Sequence, residues 1–264
     1  MDQVFLCRST GKRYACLREI TGVEEQASTN VTTGDAIRLL QTLLVSSHGD
    51  AVSADEAGQL TSWERDCVLA ALYTRLYGPC IDTSITCQRC EALFDLDFML
   101  HDVMDGLAPQ ESLPNVDDHT FVLRDDIRFR LPTGNDECAV FGLPPEQAEA
   151  GLLQRCVVGN AGLDADTLAE VQNAMHALAP VVNVDLDAKC PECGHQQSVQ
   201  FDLQRYLLAA LMNDRGQLVQ EIHLLASAYG WSLTEILNLT RSQRRAFVAL
   251  VDADDALQKG RGLS

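Results

Sequence analysis

Two Cys-x-x-Cys turns, about one hundred residues apart, constrain the fold of this chain more than any other sequence feature. The first pair is Cys87 and Cys90, and the second pair is Cys190 and Cys193. Each pair lies between two runs in which apolar and polar residues alternate, which is the pattern of a half-buried β-strand. We therefore predict two antiparallel β-hairpins with a Cys-x-x-Cys turn at each tip, and we interpret them as an internal repeat.

Four thiolates from two such turns suit one tetrahedral Zn²⁺ ion, because a pair spaced by two residues can hold one metal from a tight turn. The sequence predicts one structural Zn²⁺ site per chain, of the zinc-ribbon type, with the ligands Cys87, Cys90, Cys190 and Cys193. The second turn continues with Gly194, a small residue typical of such turns, whereas the first continues with Glu91. The first half of the site is therefore less typical. We interpret His195 as a turn residue and not as a ligand.

Two other interpretations of these cysteines stay open at this point. The turns could form a ribbon that has lost its metal under some conditions, or each pair could act as a redox dithiol. Redox dithiols usually open a helix that follows a strand, whereas both pairs here are predicted within hairpins. The remaining cysteines lie mostly in apolar contexts and are expected to be buried free thiols. They are Cys7, Cys16, Cys67, Cys80, Cys138 and Cys156.

Around the hairpins the periodicity is mainly helical, so we predict an α+β fold. It consists of helices around a zinc-ribbon-like pair of antiparallel β-hairpins, a helical insertion between the hairpins, and an all-helical C-terminal segment. The predicted segments are a mostly helical one (1–80), the two ribbon halves (81–100 and 180–203), the insertion (101–179) and the C-terminal helices (204–264). Within the first segment, residues 4–6 and 14–17 suit a β-hairpin. From Asp252 onward the tail is polar and is expected to fray.

The charge of the chain disfavours some classes of partner. It carries 38 acidic and 20 basic residues, for a net charge of −18 and a pI near 4.5. Binding to nucleic acid or to an anionic membrane depends on cationic side chains, so both roles are disfavoured. No apolar run approaches the roughly 18 to 20 residues of a membrane span, and no signal peptide is visible. We therefore expect a cytoplasmic protein with reduced thiols and no membrane contact.

No catalytic constellation is apparent in the sequence. It contains no glycine-rich phosphate loop, no nucleophile elbow and no paired-histidine zinc motif. A site with four thiolate ligands has no open position for water or substrate, which favours a structural role for the metal. We therefore expect a protein that is not an enzyme.

One charge feature departs from the acidic average. Arg241, Arg244 and Arg245 cluster at the start of the last predicted helix, where the helix dipole disfavours cations. One interpretation is a face that is solvated or paired within the molecule. The other is a partner-binding patch that includes the nearby Trp231, since tryptophan and arginine are enriched at binding hot spots.

The run from Leu218 to Arg245, LVQEIHLLASAYGWSLTEILNLTRSQRR, resembles the signature of the baseplate hub-assembly proteins of contractile-tailed phages. Similar proteins are encoded in gene clusters for tail-like contractile injection systems. Those larger relatives also carry a ribbon half like Cys190–His195, an earlier Cys-x-x-Cys hairpin, and a middle stretch like Phe129–Gly134. The resemblance touches much of residues 60–251, is strongest over 180–251, and is weak before residue 60.

This resemblance implies a non-enzymatic assembly factor, or chaperone, for the baseplate or central hub, whose partners are hub, spike or other tail proteins. It would act in the cytoplasm during assembly. A structural component retained in the mature baseplate is the first alternative. A zinc-ribbon adaptor in a nucleic-acid or transcription complex is the second, and the charge of −18 opposes it. An enzyme that uses its cysteines is the third, and it would need a thiol of low pKa.

Overall fold

The computed structural model describes residues 2–6, 14–46, 51–109, 115–117, 120–123, 127–159 and 163–261. Helices and short strands alternate along these ranges. The α-helices are α1 (Gly22–Ala27), α2 (Thr33–Leu43), α3 (Ser62–Tyr77), α4 (Leu100–Leu107), α5 (Gly134–Val140), α6 (Pro145–Cys156), α7 (Ala165–Leu178), α8 (Leu203–Asn213), α9 (Arg215–Tyr229), α10 (Leu233–Leu237) and α11 (Arg241–Arg261). A 3₁₀ helix spans Ala54–Gln59.

The strands form small antiparallel sheets. They are β1 (Asp2–Phe5), β2 (Tyr14–Leu17), β3 (Cys80–Thr86), β4 (Leu93–Met99), β5 (Asn115–Asp117), β6 (Thr120–Val122), β7 (Arg128–Arg130), β8 (Val157–Val158), β9 (Asn183–Lys189) and β10 (Gln196–Asp202). The pairs β1–β2, β3–β4 and β9–β10 are two-stranded, and β5 to β8 form a four-stranded sheet in chain order. This mixture of helices and sheets agrees with the predicted α+β class, and the hairpin β1–β2 was predicted from its apolar runs. Within the described ranges, no helix is both long and apolar enough to cross a membrane.

The two cysteine hairpins repeat each other position by position, which confirms the predicted repeat. In the first hairpin Cys80 pairs with Met99 at the open end. In the second hairpin Asn183 pairs with Asp202 at the same place. Each position of β3 and β4 therefore has its counterpart 103 positions later in β9 and β10.

The repeat extends beyond the hairpins to the helices on either side. α3 and α7 begin at counterpart positions, after the N-cap residues Thr61 and Asp164. α4 and α8 also begin at counterparts, Leu100 and Leu203. The N–H of Leu100 donates to the carbonyl of Pro79 and the N–H of Leu203 donates to the carbonyl of Val182, both at 3.0 Å. Each bond lies at the base of its own hairpin. A helix–hairpin–helix unit therefore occurs twice in the chain.

The two units face each other across an approximate two-fold axis. Phe98 of β4 packs edge to face against its own counterpart, Phe201 of β10, with ring centroids 5.0 Å apart. Contact between equivalent residues is what a two-fold relation produces. The hydrophobic core continues from this contact into α3 and α8 and includes the fully buried Leu69, Leu72 and Leu207.

Parts of the insertion and the tail differ from the prediction. The insertion over 101–179 was predicted to be helical apart from one strand, which the alternation of Ile127, Phe129 and Leu131 predicts and β7 confirms. The strands β5, β6 and β8 were not predicted. α5 was not predicted, because Pro132 to Gly134 were interpreted as a strand end, although Thr133 and Asp136 form a capping box. The tail predicted to fray after Asp252 continues α11 to Arg261. Alanine, leucine, glutamine and lysine in this tail favour the helix.

A buried carboxyl group joins α3 to the second hairpin. Asp66 is 2% exposed and accepts a hydrogen bond from the backbone N–H of Val182, at 2.8 Å. Burial raises the pKa of Asp66 to about 7, although the Arg65 charge and the Val182 N–H lower it. The folded state therefore keeps a proton on this carboxyl at a pH where the unfolded chain has already lost it.

We expect this group to make stability depend on pH. Between pH 6 and 8 the unfolded carboxyl stays ionised while the folded one loses its proton, so the folded state loses about 1.4 kcal/mol as the pH rises. Asp66→Asn, whose amide oxygen can still accept the Val182 N–H, should remove this slope. Denaturant unfolding of both proteins at pH 6 and pH 8 measures it. The exposed Asp105→Asn is the control and should keep the dependence of stability on pH. The same dependence in Asp66→Asn would show that Asp66 is not its cause.

Candidate metal centre

The four predicted ligands come together at the tips of the two hairpins. The sulfur atoms of Cys87, Cys90, Cys190 and Cys193 all lie within 4.8 Å of one another. Cys87 Sγ lies 3.6 Å from Cys193 Sγ, and Cys90 Sγ lies 3.7 Å from Cys190 Sγ. Each close pair joins the first cysteine of one turn to the second cysteine of the other. The approximate two-fold axis therefore passes through the cluster.

The local structure of the two turns is the same. The N–H of Cys87 donates to the carbonyl of Ala92 and the N–H of Glu91 donates to the carbonyl of Cys87, at 2.9 and 3.0 Å. In the second turn Cys190 donates to His195, and Gly194 donates to Cys190, both at 2.9 Å. These paired bonds fix both sulfurs of a turn on the same side. The first turn is therefore built like the second, although its sequence is less typical.

The first turn adopts this shape against the preference of one residue. Glu91 has φ +60°, and its counterpart Gly194 has φ +70°. Among the described residues, Glu91 is the one non-glycine residue with positive φ. A left-handed conformation costs an L-residue roughly 1–2 kcal/mol, whereas glycine adopts it freely. The first turn thus adopts the same geometry without a glycine, and Glu91 is therefore a position of backbone strain.

We expect Glu91→Gly to raise the free energy of unfolding by about 0.5–1 kcal/mol, because relief of the strain exceeds the added chain entropy of glycine. The matched change in the second turn, Gly194→Ala, should lower stability by a similar amount. No atom lies within 4 Å of an added Cβ there, so the backbone conformation alone is tested. Denaturant unfolding of both variants measures the effects. Destabilisation by Glu91→Gly would contradict the assignment of strain.

A side chain besides the four cysteines also connects the two turns, and it was not predicted. Gln197 of β10 accepts a hydrogen bond from the N–H of Gln88 at 2.9 Å and donates to the carbonyl of Thr86 at 3.1 Å. It is a buried polar residue at a position of the strand pattern where an apolar one is expected, and its counterpart is Phe94. That break in the alternation is the signal in the sequence that could have identified it.

The geometry and the donor set fit a tetrahedral ion that prefers sulfur. Metal–sulfur bonds of about 2.3 Å at tetrahedral angles place the sulfurs about 3.8 Å apart. The distances of 3.6 Å between Cys87 and Cys193 and 3.7 Å between Cys90 and Cys190 are close to that value. Cys87 and Cys190 are buried, Cys193 is half-buried and Cys90 is exposed. The cluster therefore reaches the surface on one side, while both turns shield the other.

Proton sharing among the sulfurs also favours a bound cation. Burial opposes ionisation of Cys87, but N–H groups of Cys90 and Arg89 and the neighbouring sulfurs outweigh it and lower the pKa of Cys87 to about 6. Although the N–H of Ala92 lowers the pKa of Cys90, hydrogen bonds within the cluster raise it to about 12. The sulfurs thus differ in how readily they ionise, and a bound cation can take the place of the protons that they hold.

The other cysteines agree only in part with the prediction of buried thiols. Cys16 and Cys156 are buried and Cys67 is half-buried, whereas Cys80 and Cys138 are exposed. The prediction is wrong for these last two. Cys80 occupies an outward position at the open end of its hairpin, and Cys138 lies on the exposed side of α5. Cys7 lies outside the described residues.

The arginine cluster is largely internal, so the partner-binding prediction is wrong for two of its members. Arg241 is 6% exposed and Arg244 is 1% exposed. Arg244 Nε donates to Glu221 at 2.9 Å, and both guanidinium groups pair with Glu25. Intramolecular pairing was the other interpretation of the sequence, and it is the one that the structure bears out. These acids offset the unfavourable position of the cations at the start of α11.

The two remaining partner-binding candidates have different surroundings. Arg245 is exposed, with its Nε 3.9 Å from Glu221. Trp231 is half-buried and stacks on Tyr229, with centroids 4.8 Å apart, while Phe247 packs edge-on at 5.0 Å. The three rings hold the link between α9 and α10 against α11. A partner role for Trp231 and Arg245 stays a prediction.

The four-cysteine cluster is thus the candidate functional centre of the chain, with two hairpins that present its sulfurs in equivalent ways. Comparison of the chain with known proteins finds no match to a family model, to a curated protein or to a solved structure.

Proposed function

We propose that the four cysteines hold one structural Zn²⁺ ion in a zinc-ribbon arrangement. The sulfur–sulfur distances of 3.6 and 3.7 Å and the all-thiolate donor set support zinc. All four coordination positions of the ion would be filled by protein, so the ion would carry no water or substrate. Its role would be to join residues 80–99 to residues 183–202 across the intervening insertion.

We further propose that the protein is a non-enzymatic assembly factor for the baseplate or central hub of a contractile tail or contractile injection system. The observation that carries this proposal is the motif from Leu218 to Arg245, which forms α9, α10 and the start of α11. Apolar side chains of this motif remain uncovered: Val219 is 65% exposed, Leu233 is 52% exposed and Tyr229 is 40% exposed. Such side chains suit contact with another protein.

The distribution of charge supports a protein partner. Residues 203–264 contain 7 basic and 6 acidic residues, a net charge of +1, while residues 1–202 contain 13 basic and 32 acidic residues, a net charge of −19. The acidic excess therefore lies outside the motif. A nearly neutral, partly apolar segment beside an acidic body suits a chaperone that contacts a tail protein with one part and shields basic surface with the other.

A tagged pull-down from the producing cell tests this proposal. Mass spectrometry would be performed on the soluble eluate and, separately, on purified tail particles. Hub or spike proteins in the eluate, with this chain absent from particles, are the expected result. Val219→Asp with Leu233→Asp should reduce that recovery, whereas Phe5→Asp, at an exposed apolar side chain in β1, should not.

Two other results would contradict the assembly role. Stoichiometric presence in particles would make the chain a structural component of the baseplate. Recovery of no tail protein from either fraction would remove the connection to tails and leave only the metal site.

A further inference from the structure

The helix α6 is poorly covered for its length. Of its 12 residues, Cys156 is the one buried side chain, and Leu152 and Leu153 are half-exposed. A helix this short gains most of its stability in a protein by packing an apolar face. The loop before it adds exposed apolar residues, with Phe141 at 73% and Leu143 at 47% exposure. This side of the insertion therefore leaves apolar surface open to solvent.

An open groove of about 450 Å³ lies between α6 and α7. Its apolar lining includes Ala150 and Leu153 from α6 and Leu168 from α7. Five of its lining residues belong to α6, and Val157 of the two-residue strand β8, together with Gly159 and Leu163 of the link to α7, completes the lining. Side chains of α6 therefore form most of the groove, and a groove lined by apolar helix side chains is a setting in which proteins bind amphipathic helices.

The charged residues that line the groove are acidic. Glu146 and Glu149 line it, and Asp164 and Asp166 are exposed at the start of α7. No lysine or arginine is among the lining residues. An occupant with basic residues beside its apolar face would be attracted, whereas an acidic one would be repelled.

We propose that the α6–α7 groove binds an amphipathic helix of a partner protein, with leucine-sized residues on its apolar face and lysine or arginine at the flanks. α6 is about 18 Å long, so about three turns of such a helix can lie along it. This inference stands apart from the proposed assembly role, because it rests on the shape and charge of the insertion and not on the C-terminal motif.

The test uses the full chain and a defined probe. The probe is a fluorescein-labelled 14-residue peptide of leucine, alanine and lysine, with leucines at positions i, i+3, i+7 and i+10. A second peptide has the same composition in an order that places the leucines around the whole helix. Fluorescence anisotropy should show at least tenfold tighter binding of the first peptide. Comparable affinity for both would overturn the proposal, because charge alone would then explain binding.

Protein variants locate the binding site. Ala150→Trp, which fills the groove, should abolish binding, and circular dichroism checks that the fold is intact. Glu146→Gln with Glu149→Gln should weaken binding about fivefold. Asp95→Asn with Asp97→Asn makes the same change of charge on the exposed face of β4. This double variant should change the affinity for the peptide less than twofold. Equal effects of the two double variants would overturn the proposal.

The final measurement determines the oligomeric state of the chain. Sedimentation should show that the chain is monomeric at the protein concentrations used for peptide binding. A dimer that Ala150→Trp dissociates would mean that a second copy fills the groove, and this would also overturn the proposal.

Discussion

Cys190→Ser is expected to lower the free energy of unfolding of the metal-loaded protein by on the order of 5 kcal/mol. The cysteine cluster joins two turns about 100 residues apart, and a covalent cross-link that closes a loop of that length contributes about 4.7 kcal/mol in the chain-entropy model. Metal binding adds to folding stability because the unfolded chain does not present the four sulfurs together. Guanidinium unfolding in zinc-containing, reducing buffer, followed by far-UV circular dichroism, measures the loss.

Cys80→Ser is the matched control for this prediction. Cys80 is exposed and lies on the first hairpin, outside the cluster. The same chemical change there should alter stability by less than about 0.5 kcal/mol. Addition of a chelator should strongly destabilise the protein without substitutions and should destabilise the Cys190→Ser variant much less. Similar losses in the two serine variants would show that the cluster does not stabilise the fold.

Arg244→Met is expected to lower the free energy of unfolding by about 3–5 kcal/mol, because it removes the close partner of the buried Glu221 and leaves the buried Glu25 with Arg241 alone. Arg244 joins Glu25 of α1 to Glu221 of α9 and also donates to the carbonyl of Leu239 at 2.9 Å. These two ion pairs of Arg244 therefore hold the N-terminal part of the chain against the C-terminal helices. Thermal and denaturant unfolding both measure the loss.

Arg245→Met is the control, since Arg245 lies next in sequence but is exposed, and its loss should change stability by less than about 1 kcal/mol. Adding Glu221→Gln to Arg244→Met should recover part of the lost stability, because one of the uncompensated carboxylates is then removed. A double-mutant cycle over these two positions gives their coupling energy. An Arg244→Met variant as stable as Arg245→Met would contradict this account of the buried pairs.

The hairpins and the cluster could be predicted from sequence because their signals are local. Alternation around each Cys-x-x-Cys turn sets the strands, and the thiolate spacing sets the ligand pairs. That the pairs meet, despite the long insertion, followed from the need of a tetrahedral ion for four ligands. The spacing of Thr61 and Glu64 is a further local signal, because it predicts a capping box at the start of α3, and the structure contains both hydrogen bonds of that box.

Other features depend on contacts between distant residues and could not be predicted from local patterns. Burial of Arg244 requires Glu25, which is 219 residues away in the sequence. The extension of the repeat to α3 and α7 was also missed, because the two helices share positions in the fold but few identical residues. The left-handed conformation of Glu91 shows the same principle, since the shape of the turn overrides the preference of its residue.

The most direct test of the central claim is metal analysis combined with X-ray absorption spectroscopy on the protein purified under metal-replete, reducing conditions. We expect one zinc ion per chain, coordinated by four sulfurs at about 2.3 Å. Absence of zinc, or coordination by nitrogen or oxygen in place of any of the four sulfurs, would contradict the claim that Cys87, Cys90, Cys190 and Cys193 form one structural zinc site.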